Sequence, residues 1–364
     1  MGSATAWQLA ARGQRVVGFD RFHPPHGLGS STGRSRIIRE AYFESPVYVP
    51  LVRRAYLLWE ALEQGRGAGL LRPTGGLVIG PRHGALVSGA IASAQAHAVP
   101  HEVLSAADVR RRFPALQPDD SLAGVLEPRA GVLVPEQAIA AMLDEAARHG
   151  AELRYEEPVL SWEPAADGVV VHTGRGAFAA RRLVLAAGAW MAAELPGVHL
   201  PLEVQRQVTC WVQPSGDPAL FQPSRLPVWL WETPAGEMWY GFPDLGDGPK
   251  VARHQGGAVT TAQTVDRQVS GEDQNPLQAF LASAMPALQG PVTDAGVCLY
   301  TNTPDGHFLV DRHPDCPAVL IASPCSGHGF KFAPAIGEVL ADLAMDRPPS
   351  FDLAPFALSR FAGF

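Results

Sequence analysis

The sequence predicts a mixed α/β chain in which a Rossmann-like, dinucleotide-binding region is joined to a second, mainly antiparallel region. Three observations carry the prediction. The chain opens with a helical segment, a glycine, a short apolar strand and an acid, which is the second half of a βαβ unit. The stretch from about 202 to 294 reads as mainly strands, with one helix near 276–285. Near the end, Ser326-Gly-His-Gly-Phe-Lys331 leads into the apolar run Phe332 to Ala344. Its two glycines let the backbone turn sharply and approach a ligand closely, and Pro334 suits the first turn of the helix that follows. A helix start of this kind presents free N–H groups to electron-rich oxygens. Taken alone, such a loop is more often a plain turn.

The elements follow in order. Residues 3–12 carry small and apolar residues at helical spacing and end at Gly13, a good residue for leaving a helix. Arg15 to Phe19 is a buried strand closed by Asp20, an acid placed to accept hydrogen bonds from a ribose, or simply the end of a strand. A βαβ unit also needs a first strand and a G-x-G-x-x-G turn. Here the chain begins Met1-Gly2-Ser3, with Gly2 where the last glycine of that turn belongs. The expectation is therefore a start roughly ten residues upstream, one short strand plus the turn.

In the stretch Asp20 to Arg39, Pro, Gly and Ser keep the first two thirds in a loop, and Arg34, Arg36 and Arg39 then alternate with apolar or small residues. Arginines at this density in an acidic chain suit either an anion site or a solvated face paired with acids. A helix is expected over 45–64, a strand over 74–80, a short helix over 105–115 and a helix over 136–149. A strand over 152–155, an alternating pair near 168–180 and the strand Leu183 to Trp190, which runs into a small-residue turn, come next. Residues 295–310 run strand, turn, strand, and Ala318 to Ser323 is a last buried strand. The expected division places 1–70, 130–201 and 295–364 in the cofactor region and 71–129 with 202–294 in the substrate region.

Composition bounds the function. At 364 residues and 46% hydrophobic the chain is long enough for two domains. A formal charge of −7 leaves no basic footprint for nucleic acid. No apolar run approaches the ~20 residues of a membrane span, and no secretory signal is seen, so a cytoplasmic location is expected. Cys210, Cys298, Cys316 and Cys325 lack CxxC spacing, so neither a metal site nor a disulfide framework is expected.

Six segments, in order, carry a resemblance. They are Asp20 with Pro24-Pro25-His26, Gly33-x-x-Arg36-Ile-Ile-Arg39, Tyr240-Gly-Phe-Pro243 with Lys250, Cys298-Leu-Tyr300, Thr303-Pro-Asp-x-His-Phe308, and Ser326 to Lys331. With these, the chain resembles, nearly end to end, the monomeric sarcosine oxidase and N-methyltryptophan oxidase family of FAD-containing amine oxidases. The resemblance implies FAD bound covalently through Cys298, with Gly2, Asp20, Ser35, Arg36, Val159, Gly188, Trp190, Gly327, Gly329 and Lys331 around it. It implies that Arg39 and Lys331 hold the substrate carboxylate, that Tyr240 and Tyr300 line the substrate site, and that His254 and His328 lie close to substrate and flavin. It also implies that Lys250 assists reaction with O₂, where a preplaced cation stabilises developing negative charge.

The implied reaction oxidises a secondary amino acid, N-methyl or cyclic, to an imine, with H₂O₂ formed and formaldehyde released from N-methyl substrates. The implied partners are that small molecule and O₂, and the implied state is a monomer. Three departures stand out. The segment before Lys250 is one residue short with Pro249 preceding the lysine, Thr32 replaces a histidine of some members, and Arg34 replaces an acid. The alternatives are an FAD-dependent dehydrogenase using another electron acceptor and a truncated, non-catalytic remnant.

Overall fold

The computed structural model describes residues 1–65, 69–193 and 200–361. Its α-helices are α1 (Gly2–Ala10), α2 (Tyr48–Gln64), α3 (Ala85–Ala96), α4 (Ala106–Arg112), α5 (Pro135–Arg148), α6 (Gly271–Ala284) and α7 (Ala333–Ala344). Helix α1 buries Ala4, Thr5, Ala6, Gln8 and Ala10, short side chains that let it pack against both α5 and α7. The strand Val17–Phe19 follows and pairs in parallel with Glu152–Arg154. A second parallel pair joins Leu183–Leu185 to Val319–Ser323, which also pairs antiparallel with Leu309–Arg312.

These two pieces are separate sheets. Residues 16–19 on one side and 183–186 on the other line the same cavity, and among the described residues no strand joins them.

The larger sheet has nine strands. Its order is Val259–Thr260, Glu203–Val212, Lys250–His254, Met238–Phe242, Val228–Glu232, Gly76–Pro81, Leu122–Glu127 and Glu102–Ser105, with Val292–Asn302 paired beside Glu203–Val212. Every pairing is antiparallel except Val228–Glu232 with Gly76–Pro81. On one face Trp229, Trp231 and Trp239 surround Phe280 of α6, with the Trp239 and Phe280 rings stacked at 4.7 Å. The strand Val292–Asn302 crosses position 294, so most of it lies in this sheet rather than with the residues that follow it.

A small antiparallel sheet, Arg36–Ile38 with Gly131–Leu133 and Leu71–Pro73, carries the chain from the first loop toward α2. The main core is built from α2, α3, α5 and α7, with Tyr42, Tyr48, Tyr56, Trp59 and Phe332 fully buried. Elements not foreseen include α3, the strands Arg36–Ile38, Leu71–Pro73, Glu102–Ser105 and Leu122–Glu127, and the strand Val159–Ala165, which pairs with Gly168–Thr173. The helix expected from 45 starts at Tyr48. The helix expected to 115 ends at Arg112 after a start capped reciprocally by Ser105 and Asp108.

Candidate active site

Arg39 leaves the small sheet and is 5% exposed. Its Nη1 donates to the Ala41 carbonyl at 2.7 Å, and its Nη2 donates to both carboxylate oxygens of Glu44 at 3.0 and 2.7 Å. Burial alone would raise the Glu44 pKa, yet Arg39, with His328 and Lys331 behind it, holds it at about 2. The guanidinium also stacks over the Tyr42 ring at 4.3 Å.

Tyr42 links this arginine to the glycine-rich loop. Its hydroxyl lies 2.7 Å from His328 Nδ1 and accepts from Lys331 Nζ at 3.2 Å. His328 Nε2 faces the Gly306 carbonyl at 3.0 Å. A carbonyl only accepts, so the proton sits on Nε2 and Tyr42 donates to Nδ1. Lys331 Nζ donates also to the His328 carbonyl at 2.7 Å. Burial first, then repulsion from Arg39, lowers the Lys331 ammonium to about 7. Burial likewise brings His328 down to about 3 and His254 to about 4, so both rings are neutral at pH 7. His254 Nδ1 is 3.3 Å from the Tyr300 hydroxyl, and Tyr240 meets the His254 ring edge-on.

The loop holds its shape through backbone that only glycine takes easily. Gly327 has φ +79°, and a Cβ there would sit 2.4 Å from the Tyr300 ring. This close approach brings the loop against the two aromatic walls.

Arg39, Glu44, Tyr240, His254, Tyr300, Gly327, His328 and Lys331 line one cavity of about 1750 Å³, with Tyr42 buried behind them. The cavity lining also includes Arg36, Cys298, Gly188, Trp190, Val159, Asp20 and Gly2. Arg36 donates to the carbonyls of Ser30 and Ser35 at 2.9 and 2.8 Å, and also to that of Thr32. The Cys298 sulfur is 3.9 Å from Arg36 Nη2 and 3.7 Å from the Ser30 carbonyl. Two buried hydroxyls of the lining, Ser30 Oγ and Thr301 Oγ1, have no hydrogen-bond partner. Unpaired buried polar atoms in a long cavity, flanked by guanidinium and glycine backbone, suit a polar, extended ligand such as a dinucleotide.

A profile describing FAD dependent oxidoreductases, the DAO family, matches residues 1–343. The chain belongs to this family. Over its whole length it is 42% identical to a monomeric sarcosine oxidase of Streptomyces avermitilis, covering 95% of that protein. It is 35% identical to an N-methyl-L-tryptophan oxidase of Salmonella arizonae, covering 100% of this chain and 96% of that one. Among solved structures, NikD, described as an unusual amino acid oxidase essential for nikkomycin biosynthesis, shares 25% identity. The match has a TM-score of 0.84 and covers 98% of this chain and 94% of that one. An L-proline dehydrogenase from P. horikoshii shares the fold, with a TM-score of 0.85 at 21% identity over 99% of this chain and 94% of that one.

The cofactor of this FAD-dependent oxidoreductase is FAD, and the cavity's features fit it. Of the residues singled out in the sequence, Gly2, Asp20, Arg36, Arg39, Val159, Gly188, Trp190, Tyr240, His254, Cys298, Tyr300, Gly327, His328, Gly329 and Lys331 share the cavity lining. Two do not. Ser35, expected at the cofactor, is 2% exposed and turns to Lys250 instead. Lys250 is itself buried behind the cavity wall, its ammonium donating to the Gly33 carbonyl at 2.7 Å and to Ser35 O and Oγ at 3.2 Å. Burial, and next the charge of Arg36, push its pKa well below the usual lysine value.

The three arginines separate. Arg36 and Arg39 line the cavity, whereas Arg34 lies outside it, paired with Asp294 and Asp247. Sequence reasoning missed Tyr42 and Glu44. Their signal is position, three and five residues beyond Arg39 on the same loop.

Proposed function

We propose that this enzyme oxidises a secondary amino acid, N-methylated or cyclic, to an imine, and passes the electrons to O₂ to give H₂O₂. The observation that carries the reading is the pairing of two buried cations, Arg39 and Lys331, around Tyr42 and beside two histidines held neutral. A substrate carboxylate would take its place against the two cations through charge-assisted hydrogen bonds. The amine end would then lie among Tyr240, Tyr300 and His254, where burial favours the neutral, oxidisable amine over the ammonium. The sarcosine and N-methyltryptophan oxidases to which the chain is similar act on such molecules, as their names state.

The flavin, when bound, supplies the two-electron chemistry. The residues that would hold it run along the cavity from Gly2 and Asp20 through Trp190 and Arg36 to Gly327. Cys298 is the proposed point of covalent attachment, its sulfur buried in the wall within reach of Arg36. We assign the small sheets with α1, α5 and α7 to the cofactor region and the nine-stranded sheet to the substrate region, as a monomer in the cytoplasm.

The deciding experiment adds sarcosine to purified holoenzyme, measures H₂O₂ and formaldehyde, and follows the yellow colour through acid precipitation. Peroxide with colour in the precipitate supports both the oxidase and the Cys298 link. Colour in the supernatant removes the link only. Flavin reduction without peroxide favours a second reading, a dehydrogenase. One observation speaks for that reading: Lys250 has three protein acceptors and sits behind the wall rather than on it. Kinetics of Lys250→Met separate the two, since an oxidase loses reoxidation specifically.

A further inference from the structure

We propose that Arg34 is the positioning residue for Lys250, fastening the backbone that cradles its ammonium to the strands that carry the lysine. The inference rests on the reading of Lys250 as the group that serves O₂ reduction.

All three acceptors of the ammonium belong to Gly33 and Ser35. The backbone between them is unusual: φ is +107° at Gly33 and +65° at Arg34. A non-glycine residue in that region is strained and persists only where its surroundings hold it. From one side Glu136, at the start of α5, accepts from the Gly33 and Arg34 N–H groups at 2.9 and 3.0 Å. From the other side the hold is the Arg34 side chain.

That side chain spans a single row of the large sheet. Lys250, Trp211 and Asp294 are register partners on three adjacent strands. The Arg34 guanidinium lies 4.3 Å over the Trp211 ring and donates to Asp294, and its other terminal nitrogen is 3.6 Å from Asp247 on the turn before Lys250. Lys250 Nζ lies 5.5 Å from the same Trp211 ring. One exposed ion pair alone would count for little. Here a ring face and two carboxylates fix one guanidinium, and its own backbone is the middle of the cradle. The loop and the lysine are therefore registered to each other through Trp211.

The test compares the flavin-loaded wild type with Arg34→Ala, Lys250→Met and the double variant. Holoenzyme is reduced chemically, so that no substrate is needed, and mixed with O₂ while reoxidation is followed. Amide hydrogen exchange across residues 33–36 is measured on the same proteins. R34A is expected to reoxidise roughly ten-fold more slowly, the scale of a small misplacement of a reacting group. Exchange at 33–36 should quicken, and the double variant should be no slower than K250M alone, because Arg34 acts only through Lys250. Arg34→Gln, closer in volume, should reproduce the effect. Wild-type reoxidation in R34A, or slowing that multiplies in the double variant, overturns the inference. Wild-type reoxidation in K250M removes the reading of Lys250, and this inference falls with it.

Discussion

Arg39 and Lys331 face the same ligand group with different electrostatics. Arg39 is charged at every working pH and already bonded bidentately to Glu44. Arg39→Ala is expected to lower kcat/KM about a hundred-fold, the loss of a desolvated charge-assisted contact of ~3 kcal/mol, while the flavin spectrum is retained. Wild-type turnover in that variant would end the carboxylate assignment. Lys331, held near 7 by burial and by Arg39, binds an anion in its protonated form only. Acetate affinity should therefore fall as pH rises through about 7. In Arg39→Ala, with the repulsion removed, that fall should move to higher pH. Titrations of acetate at a series of pH values check both. These two cations were legible because their residue types sit in motifs. Glu44 was not, since an acid five residues away on a loop has no periodicity to place it on any face.

At the scale of the element, α3 shows why part of the fold could not be read. Its sequence, Ala85-Leu-Val-Ser-Gly-Ala-Ile-Ala-Ser-Ala-Gln-Ala96, is small and apolar with little amphipathic contrast. Its start lacks a local side-chain cap, and Glu232, from a distant strand, accepts from the Leu86 N–H at 2.9 Å. Strand Val159–Ala165 was likewise hidden, because its partner is the following strand and much of it is exposed. The helix nevertheless supports the site. Ser93 Oγ accepts from the Tyr42 N–H at 3.2 Å, and a Cβ on Gly89 would sit 2.6 Å from the Phe43 carbonyl oxygen.

Glycine to alanine inside a helix ordinarily stabilises by about 1 kcal/mol. Gly89→Ala should instead destabilise, and should weaken acetate binding by displacing the backbone that carries Tyr42 and Glu44. A raised melting temperature with unchanged acetate affinity would contradict this. Glu127 works on the same loop: its carboxylate accepts from the Glu40 and Ala41 N–H groups at 2.8 to 3.0 Å. The elements that were easy to foresee were those with strong local punctuation, such as α5 with its proline start and α7 after the glycine loop.

For the whole molecule, the buried histidines set an acid limit. His254 and His328 take about 4 and about 3 in the fold against 6.5 when free. Their folded pKa values are depressed, so below 6.5 the unfolded chain binds more protons and folding loses stability progressively toward pH 4. Glu44, low at about 2 against 4.5, adds a loss below 4.5. Denaturant midpoints should fall on acidification from 6.5, and His328→Gln should flatten that slope, because Gln cannot take up the proton.

The sheet break described above bears on how the molecule behaves in a crowd. Among the described residues, strands Val17–Phe19 and Leu183–Leu185 each pair on one side only, and residues of both line the cavity. Bare edges of this kind are templates for strand addition from a neighbour. Self-association should therefore rise with protein concentration and be slowed by FAD, which would lie along the same cavity. Light scattering with and without added FAD measures it, and equal scattering in both would show that the edges are shielded by some other means.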